Sequence, residues 1–229
     1  MGNSICDYLS NIDVIPVVID SSIRENCRYQ SFQCNLSDAD ETESVLNSIF
    51  EEHRHVNHLI NAVRIRSEIH DNKNIKSTSI CIMEEMNAYL NPMHFFCSKT
   101  HTSSSLVNIS SILGKSISSD VPIAYHVAKA AIEQASRYYA TKYNDTKVRI
   151  NCISPGLISN GGSEDCSYES DAGSYARLAC RLPIQRSGGH NAVAALATFL
   201  LSELSDFVVG ENIKVDGGGD LLEPLSISN

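Results

Sequence analysis

The amino-acid sequence predicts an α/β fold in which helices cover both faces of a parallel, doubly wound sheet. Short apolar runs rich in β-branched residues alternate with longer stretches of helical periodicity along the chain. This alternation is typical of βαβ units, whose strands pair in parallel. No internal repeat and no low-complexity linker divides the 229 residues, so we expect residues 1–229 to form a single domain.

The first half of the chain contains three strand candidates and one predicted helix. Residues 14–19 (VIPVVI) form a near-continuous apolar run, as in a strand buried on both faces, although Pro16 removes one backbone donor. Residues 37–52 predict a helix with Ser37 as its N-cap, because acidic residues occupy the first turn and apolar residues share one face. The next strand candidates are residues 58–65 (HLINAVRI) and residues 105–109 (SLVNI).

The second half continues the alternation. An alanine-rich helix is predicted for residues 123–143, and it leads into a strand at residues 147–153 (KVRINCI). Residues 191–202 predict another helix, and residues 211–215 predict a last short strand. Residues 159–186, which begin with a glycine- and serine-rich stretch, follow no periodic pattern. We expect a mobile loop there that shapes a substrate pocket.

The composition excludes several classes of partner. The chain has 18 basic and 27 acidic residues and a formal net charge of −9, whereas proteins that bind nucleic acid or anionic membranes usually have a basic excess. No apolar run reaches the ~18 residues of a membrane-spanning helix, and the first residues do not resemble a secretory signal. The eight cysteines contain no C-x-x-C pair, so we expect reduced thiols in a cytoplasmic protein. His53, His55 and His58 straddle a helix end and a strand start, and we predict no metal site there.

The strongest chemical feature of the sequence is the segment YHVAK, residues 125–129. Tyr125 and Lys129 lie four residues apart, so a helix places them on one face with about 5–6 Å between their Cβ atoms. A nearby ammonium group favours the phenolate and lowers the pKa of a tyrosine from its usual value near ~10. Tyr125 can then act as a general acid or base for a hydroxyl proton.

The spacing alone does not identify a catalytic pair. Two other pairs have the same spacing, Tyr138/Lys142 and Tyr143/Lys147. Only Tyr125 follows a strand candidate that ends in a serine cluster, Ser110 and Ser111. Because open α/β sheets bind ligands at the carboxyl ends of their strands, this context favours Tyr125.

The order of these motifs resembles the short-chain dehydrogenase/reductase family. The stretch NISSILGKSISSDVPIAYHVAKAAIEQASRYYATKYNDTKVRINCISPGLIS has the family's serine, Tyr-x-x-x-Lys, asparagine and Pro-Gly in sequence. The closing stretch FLLSELSDFVVGENIKVDGGG is similar to the family's last helix and strand, so the resemblance covers essentially the whole chain. It implies a Rossmann-like sheet and an NAD(P)(H)-dependent oxidoreductase that interconverts an alcohol and a carbonyl.

The resemblance implies a role for each matching residue. Tyr125 exchanges a proton with the substrate oxygen, and Ser111 holds the substrate carbonyl or hydroxyl. Lys129 binds the nicotinamide ribose and favours the phenolate of Tyr125. An asparagine on the preceding helix supports a proton-relay water in the family; Asn87 and Asn91 are both candidates, and Asn87 is favoured. The remaining contacts of the nicotinamide are Pro155, Gly156 and Ile158.

The expected cofactor is NAD rather than NADP. Asp20 stands at the end of a strand, where a carboxylate binds the adenosine ribose hydroxyls and repels a 2′-phosphate. Arg24 nearby keeps NADP as the alternative. The other cofactor-binding residues that the resemblance implies are Gly2, Asn35, Leu36, Asn61 and Ala62.

Three features depart from the family pattern. The chain begins inside the family's glycine-rich turn, with Gly2 at its last glycine, so the central first strand is absent and its two neighbours are expected to show unpaired edges. Residues 61–64 (NAVR) replace Asn-Asn-Ala-Gly, and Arg64 can face solvent, a substrate carboxylate or a phosphate. Asn35 replaces an aspartate that contacts adenine. Either the protein starts upstream of Met1 or it is a shortened relative.

Other functions remain open at this point. The absent turn and the NAVR segment also fit a non-catalytic member of the fold, a structural or binding subunit with an impaired cofactor site. A loose likeness of the N-terminal half to reductases of carbohydrate or nucleotide-sugar metabolism is a third reading. For the enzyme we expect a small-molecule alcohol or carbonyl substrate and a homodimer or homotetramer, because relatives pair their tyrosine-bearing helices. Three small residues here allow close approach, Ala128, Ala131 and Ala135.

Overall fold

A computed structural model of the chain describes residues 1–23, 27–53, 55–64, 75–100, 103–159 and 174–221. The strands in these ranges are β1 (Val17–Asp20), β2 (Gln30–Gln33), β3 (His58–Asn61), β4 (Ser104–Ile109), β5 (Val148–Pro155), β6 (Ile158–Ser159), β7 (Gly188–Gly189) and β8 (Asn212–Val215). The α-helices are α1 (Gly2–Ser10), α2 (Ala39–Glu52), α3 (Ile75–Lys99), α4 (Ile123–Lys142), α5 (Ser174–Arg181) and α6 (His190–Leu201).

Four strands form one parallel sheet in the order β3-β4-β5-β8. Asn61 lies beside Asn108, and Asn108 lies beside Cys152, so the carboxyl ends of β3, β4 and β5 meet at one edge. β1 and β2 form a separate parallel pair, and so do β6 and β7. The parallel strands and the helices between them confirm the predicted doubly wound, Rossmann-like α/β fold and its single domain.

The sheet is interrupted where the sequence predicts a missing strand. β1 pairs with β2, β3 pairs with β4, and in the described ranges no strand is hydrogen-bonded to both β1 and β3. One edge of β1 and one edge of β3 therefore have no strand partner in this part of the chain.

The two central strands of the four-stranded sheet, β4 and β5, are buried on both faces. All six residues of β4 are buried. On one face Leu106 and Ile150 belong to an apolar cluster with residues of α3 and α4. On the other face Val107 and Ile153 belong to a cluster with residues of α1 and α6. Burial of both strand faces explains why these runs are nearly continuous in apolar and small residues.

The β1–β2 pair is attached to the rest of the molecule through α2. Asp38, rather than the predicted Ser37, is the N-cap of α2, and its carboxylate accepts a hydrogen bond from the backbone N–H of Glu41 at 3.0 Å. The buried residues of α2 pack with Phe95 of α3 and with the apolar side chains of β1 and β2.

Two strand boundaries differ from the prediction for identifiable reasons. β1 begins at Val17, directly after Pro16, which has no N–H to donate to a ladder. β3 ends at Asn61, where its pairing with β4 ends, and residue 65 of the predicted strand lies outside the described residues.

The expected loop over residues 159–186 is wrong in part. Residues 160–173 lie outside the described residues, as does Arg24, but Ser174–Arg181 forms the helix α5. Cys180 is disulfide-bonded, so the expectation of reduced thiols is wrong for this residue. Among the described residues no helix has the length and apolar character needed to cross a membrane.

Candidate active site

The candidate site lies at the carboxyl edge of the four-stranded sheet, where Ser111 follows β4. Ser111 is buried, and it caps a short 3-10 helix, Ile112–Gly114, by accepting a hydrogen bond from a backbone N–H of that turn at 3.2 Å. The turn packs closely on α4, since a Cβ on Gly114 would lie 2.6 Å from Oε1 of Glu133. Ser111 is thereby held against the helix that carries the other proposed catalytic residues.

Helix α4 brings Tyr125 and Lys129 together. The helix begins after Pro122, and the ring of His126 fixes this end by bonding to the carbonyl of Pro122 and to the N–H of Ser118, both at 3.1 Å. Tyr125 is partly exposed in the first turn. Nζ of Lys129 lies 5.5 Å from the centroid of the Tyr125 ring, so the phenol and the ammonium group are neighbours.

The other two Tyr–Lys pairs lie in different surroundings. Tyr138 is 59% exposed, and Nζ of Lys142 lies 5.8 Å from its ring in contact with solvent. Tyr143 caps the end of α4, and Lys147 has a left-handed backbone after a short 3-10 turn, so this pair does not share a helix face. The pair Tyr125/Lys129 differs from the other two because it lies at the carboxyl edge of the sheet and its lysine amine is buried.

The amine of Lys129 is paired inside the protein. Only 3% of the Lys129 side chain and 7% of the Glu85 side chain are exposed, and Nζ lies 2.9 Å from a carboxylate oxygen of Glu85. Nζ also donates a hydrogen bond to the hydroxyl of Tyr89 at 3.0 Å. Weaker contacts join Nζ to the carbonyl oxygens of Ile109 at 3.4 Å and Val63 at 3.5 Å.

Tyr89 links this amine to the strand ends. Its hydroxyl proton is shared by the carbonyl oxygens of Ile109 at 2.6 Å and Val63 at 2.8 Å. Burial raises the pKa of Tyr89 to about 12, against the opposing charge of Lys129. Burial by itself lowers the pKa of Lys129, but Tyr89 and Glu85 outweigh it, so the pKa of this lysine is raised.

Glu85 and Tyr89 are residues that the sequence analysis did not select. Helix α3 also carries Asn87, which is partly buried and is not among the groups that bond to Lys129, and Asn91, which donates to the carbonyl of Leu36 at 3.0 Å. Glu85 and Tyr89 lie one turn apart on one face of α3, but only the packing shows that this face meets α4.

Arg64 covers one side of the candidate acid/base. It is exposed, it follows β3 by three residues, and its guanidinium carbon lies 5.6 Å from the centroid of the Tyr125 ring. The ring therefore has cations on two sides, Arg64 and Lys129. A guanidinium at this position can bind an anionic group that approaches Tyr125.

The residues predicted for the adenosine half of a cofactor lie at the ends of β1 and β2. The exposed carboxylate of Asp20 accepts from the N–H of Ser22 at 3.1 Å, within its own turn. The side-chain oxygen of Asn35 accepts a hydrogen bond from the hydroxyl of Ser37 at 2.7 Å. The backbone carbonyl of Leu36 accepts one from the side-chain amide of Asn91. Gly2 opens α1, and no atom lies within 4 Å of the place where its Cβ would stand.

The other residues predicted to bind the cofactor, of which Pro155, Gly156 and Ile158 were predicted for the nicotinamide, line the neighbouring strand ends. Asn61 is buried and donates to the side chain of Asn108 at 2.9 Å, and Ala62 packs beside the core. Pro155 closes β5, and a Cβ on Gly156 would lie 2.7 Å from the side chain of Asp216, so this glycine is required by packing. Ile158 pairs with Gly188 between β6 and β7.

These groups fit a nicotinamide dinucleotide. Asp20 offers an exposed carboxylate for ribose hydroxyls, and Gly2 leaves space at the start of a helix. Ser111 and Tyr125 offer a hydroxyl and a phenol at the carboxyl edge of the sheet, next to a buried ammonium group. The donor set therefore suits a ribose at one end and a reacting carbonyl at the other.

Known proteins resemble this chain over most or half of its length. A family model described as Enoyl-(Acyl carrier protein) reductase matches residues 19–220. Oxidoreductase UcpA of Salmonella typhimurium is 29% identical over 126 residues, which are 53% of this chain and 48% of the relative. Glucose 1-dehydrogenase 2 of Bacillus subtilis is 31% identical over 120 residues, which are 52% of this chain and 45% of the relative. The chain thus spans about half the length of the curated relatives it matches.

Solved structures share the fold at low identity. The ligand-free aldohexose dehydrogenase of Thermoplasma acidophilum has a TM-score of 0.82 and 21% identity, covering 97% of this chain and 91% of that chain. A short chain dehydrogenase of Leptospira borgpetersenii with bound NAD+ has a TM-score of 0.79 and 20% identity, covering 95% and 87%. ElxO with NADP bound has a TM-score of 0.80 and 20% identity, covering 96% and 94%.

Proposed function

This chain belongs to the short-chain dehydrogenase/reductase family, and we propose that it is an NAD(P)(H)-dependent oxidoreductase that interconverts an alcohol and a carbonyl. The observation that carries the proposal is the buried ammonium group of Lys129, 5.5 Å from the ring of Tyr125 at the carboxyl edge of the sheet. The surface pair Tyr138/Lys142 has the same spacing without the burial. Only the first pair can influence a proton transfer away from bulk water.

In the proposed reaction the protein positions the substrate and moves one proton. When bound, the nicotinamide ring supplies or accepts the hydride. In reduction, Ser111 donates a hydrogen bond to the substrate carbonyl oxygen, and Tyr125 gives that oxygen its phenolic proton. In oxidation, the phenolate of Tyr125 takes the hydroxyl proton back. Lys129 stays charged in both directions and stabilises the phenolate.

We propose NAD as the preferred cofactor, and Asp20 as the residue that determines the preference for NAD over NADP. An exposed carboxylate at the end of β1 favours ribose hydroxyls and repels a 2′-phosphate. The fold neighbours include one with NAD+ and one with NADP, so the fold accommodates either nucleotide. Asp20→Asn is expected to narrow the preference for NAD over NADP by about tenfold, which corresponds to ~1.4 kcal/mol.

The decisive experiment measures cofactor binding and turnover on the same protein. NADH or NADPH at about 100 times its Kd is expected to stabilise the fold by ~2.7 kcal/mol, seen as a rise in melting temperature. Tyr125→Phe is expected to lose about 10²–10⁴-fold in kcat while it keeps that rise. Tyr138→Phe, the same change on the exposed part of α4, is the matched control and is expected to keep both.

A second candidate function is a non-catalytic subunit of the same fold. The separation of β1 and β2 from the main sheet favours it, because these strands carry the proposed adenosine-binding residues. This alternative predicts no cofactor-induced rise in melting temperature with either nucleotide. The same thermal measurement therefore separates the two functions before any substrate is known.

The finer properties of the enzyme are proposals as well. We propose a small-molecule alcohol or carbonyl as substrate, a homodimer or homotetramer as the assembly, and a cytoplasmic location. Met86 of α3 and Ala131 and Ala135 of α4 are partly exposed along the line where these helices meet, which supports pairing of the helices with a second copy. Size-exclusion chromatography with light scattering tests the assembly.

A further inference from the structure

Lys129 is a buried cation with a close anionic neighbour. It comes from α4, and its amine meets Glu85 and Tyr89, which come from α3. Removing a charge from water is costly, so buried ions are found paired and hydrogen-bonded. The ion pair between Nζ and the Glu85 carboxylate, at 2.9 Å with both side chains almost fully buried, provides the opposite charge, and the hydroxyl of Tyr89 accepts a hydrogen bond from Nζ.

Burial keeps two other titratable groups near Lys129, Tyr89 and Cys152, protonated at neutral pH. Tyr89 has a pKa of about 12 because of burial, so its hydroxyl remains protonated and acts as a hydrogen-bond acceptor for Nζ. Burial also raises the pKa of Cys152 on β5 to about 12. Tyr125, one turn before Lys129, presents its ring to the amine. Glu85 is thus the anion that balances this lysine.

Two further charged side chains near Lys129, those of Glu133 and Arg64, contact other residues. Glu133 lies one turn after Lys129 on α4, and its carboxylate accepts from the hydroxyls of Ser110 at 3.2 Å and Ser154 at 3.0 Å. Arg64 is exposed and approaches the ring of Tyr125. Glu133 is therefore a buried carboxylate of the same helix layer that can be altered without removing the counter-ion of Lys129.

We propose that Glu85 is a positioning residue for catalysis, which keeps Lys129 charged and holds its amine beside Tyr125. This inference rests on the proposed function, in which Tyr125 exchanges a proton with the substrate. A neutral side chain at this place could hold the amine by a hydrogen bond but could not balance its charge. Without the carboxylate, burial favours the neutral amine, and the phenolate of Tyr125 loses its stabilising cation.

The first test measures the pH dependence of alcohol oxidation, which requires the phenolate of Tyr125. Glu85→Gln keeps the shape and removes the charge. The rise of its kcat with pH is expected at a pH about one unit higher than in the wild type. On this rising part of the profile, the acid limb, the variant is therefore about tenfold less active than the wild type at the same pH. Glu85→Asp, which keeps the charge, is expected to stay near the wild-type profile.

Glu133→Gln is the matched control for this profile. It also replaces a buried carboxylate by an amide, and it is expected to lower the melting temperature without moving the acid limb. An acid limb of Glu85→Gln that is unchanged, or that moves to lower pH, overturns the proposal, since Lys129 would then remain charged without its carboxylate.

The second test needs no activity and separates this proposal from the proposed function. Melting temperatures are measured for Glu85→Gln, Lys129→Met and the double variant. Each single change removes one member of the ion pair between Lys129 and Glu85, so the double variant is expected to melt higher than the sum of the two single losses predicts. Additive losses overturn the pairing. If the wild type neither binds a nicotinamide cofactor nor oxidises an alcohol, the proposed function fails, and this cycle alone decides whether Glu85 balances Lys129.

Discussion

The central strands of the four-stranded sheet, β4 and β5, are more deeply buried than the strands of the β1–β2 pair. Every residue of β4 is buried, and helices cover both faces of the sheet. In β1 and β2 the described residues are half-buried or exposed. This pair packs against α2 and Phe95, and Arg28 and Tyr29, just before β2, contact Asp7 of α1. The proposed reacting groups and the proposed adenosine contacts therefore lie on regions of unequal burial, for which we expect unequal stability.

The difference separates chemistry from affinity. Proton transfer depends on a fixed geometry of a few tenths of an ångström to 1 Å, and the buried sheet with its polar pairs provides it. Contacts to the adenosine half contribute binding energy, which a more loosely attached region can also provide. We therefore expect changes in β4 or β5 to affect folding strongly and changes in β1 or β2 to affect cofactor affinity first.

The largest expected effect compares Leu106→Ala in β4 with Ile19→Ala in β1. Leu106 is fully buried, so its truncation is expected to lower the free energy of unfolding by about 2–5 kcal/mol. Ile19 is partly exposed, and the expected loss is below about 2 kcal/mol. Urea denaturation followed by circular dichroism measures both, and equal losses would show that the two regions are equally packed.

A smaller effect is expected for the reactivity of two cysteines that are equally hidden. Cys34 follows β2 and Cys152 lies in β5, and each is 1% exposed. Burial raises the pKa of both thiols, that of Cys152 to about 12, so alkylation has to wait for local opening. Single-cysteine variants are expected to react with iodoacetamide at least about tenfold faster at Cys34, a difference of ~1.4 kcal/mol in opening. Equal rates would remove the proposed difference in stability.

The N-cap of α2 sharpens the same comparison. Asp38→Ala removes the hydrogen bond to the N–H of Glu41 and is expected to cost about 1 kcal/mol. Because α2 attaches the β1–β2 pair, alkylation of Cys34 should accelerate more than that of Cys152. Asp40→Ala, also in the first turn, is the control and is expected to cost only a few tenths of a kcal/mol. If Asp38→Ala increases the alkylation rates of Cys34 and Cys152 by the same factor, α2 does not stabilise the β1–β2 pair separately from the main sheet.

Periodicity and motif order were enough to predict the strands of the main sheet. Each of β3, β4, β5 and β8 overlaps a predicted strand, and the apolar runs are clearest in β4 and β5, which are buried on both faces. β2 was missed, since its sequence QSFQ has one apolar residue and becomes a strand only by pairing with β1. Tertiary pairing of this kind overrides local propensity.

The partner of Lys129 was not readable for a different reason. Glu84 and Glu85 are adjacent and chemically identical, and the sequence gives no means to choose between them. The packing of α3 against α4 buries Glu85 and leaves Glu84 partly exposed. A residue whose role depends on which face of a helix is covered becomes visible only when the neighbouring helix is placed.

The smallest expected effect concerns Arg64, which joins the end of β3 to the candidate acid/base. A cation over an aromatic ring at an exposed site contributes about 0.5–1 kcal/mol, and Arg64→Ala is expected to lower the free energy of unfolding by that amount. In a Tyr125→Leu background the same change should cost almost nothing, because the ring is absent. An equal cost in both backgrounds would show that Arg64 acts through other contacts. If Arg64→Ala is costly only in the protein that retains Tyr125, the segment after β3 packs against the Tyr125 ring. The position of this acid/base then depends on the four-stranded sheet through β3.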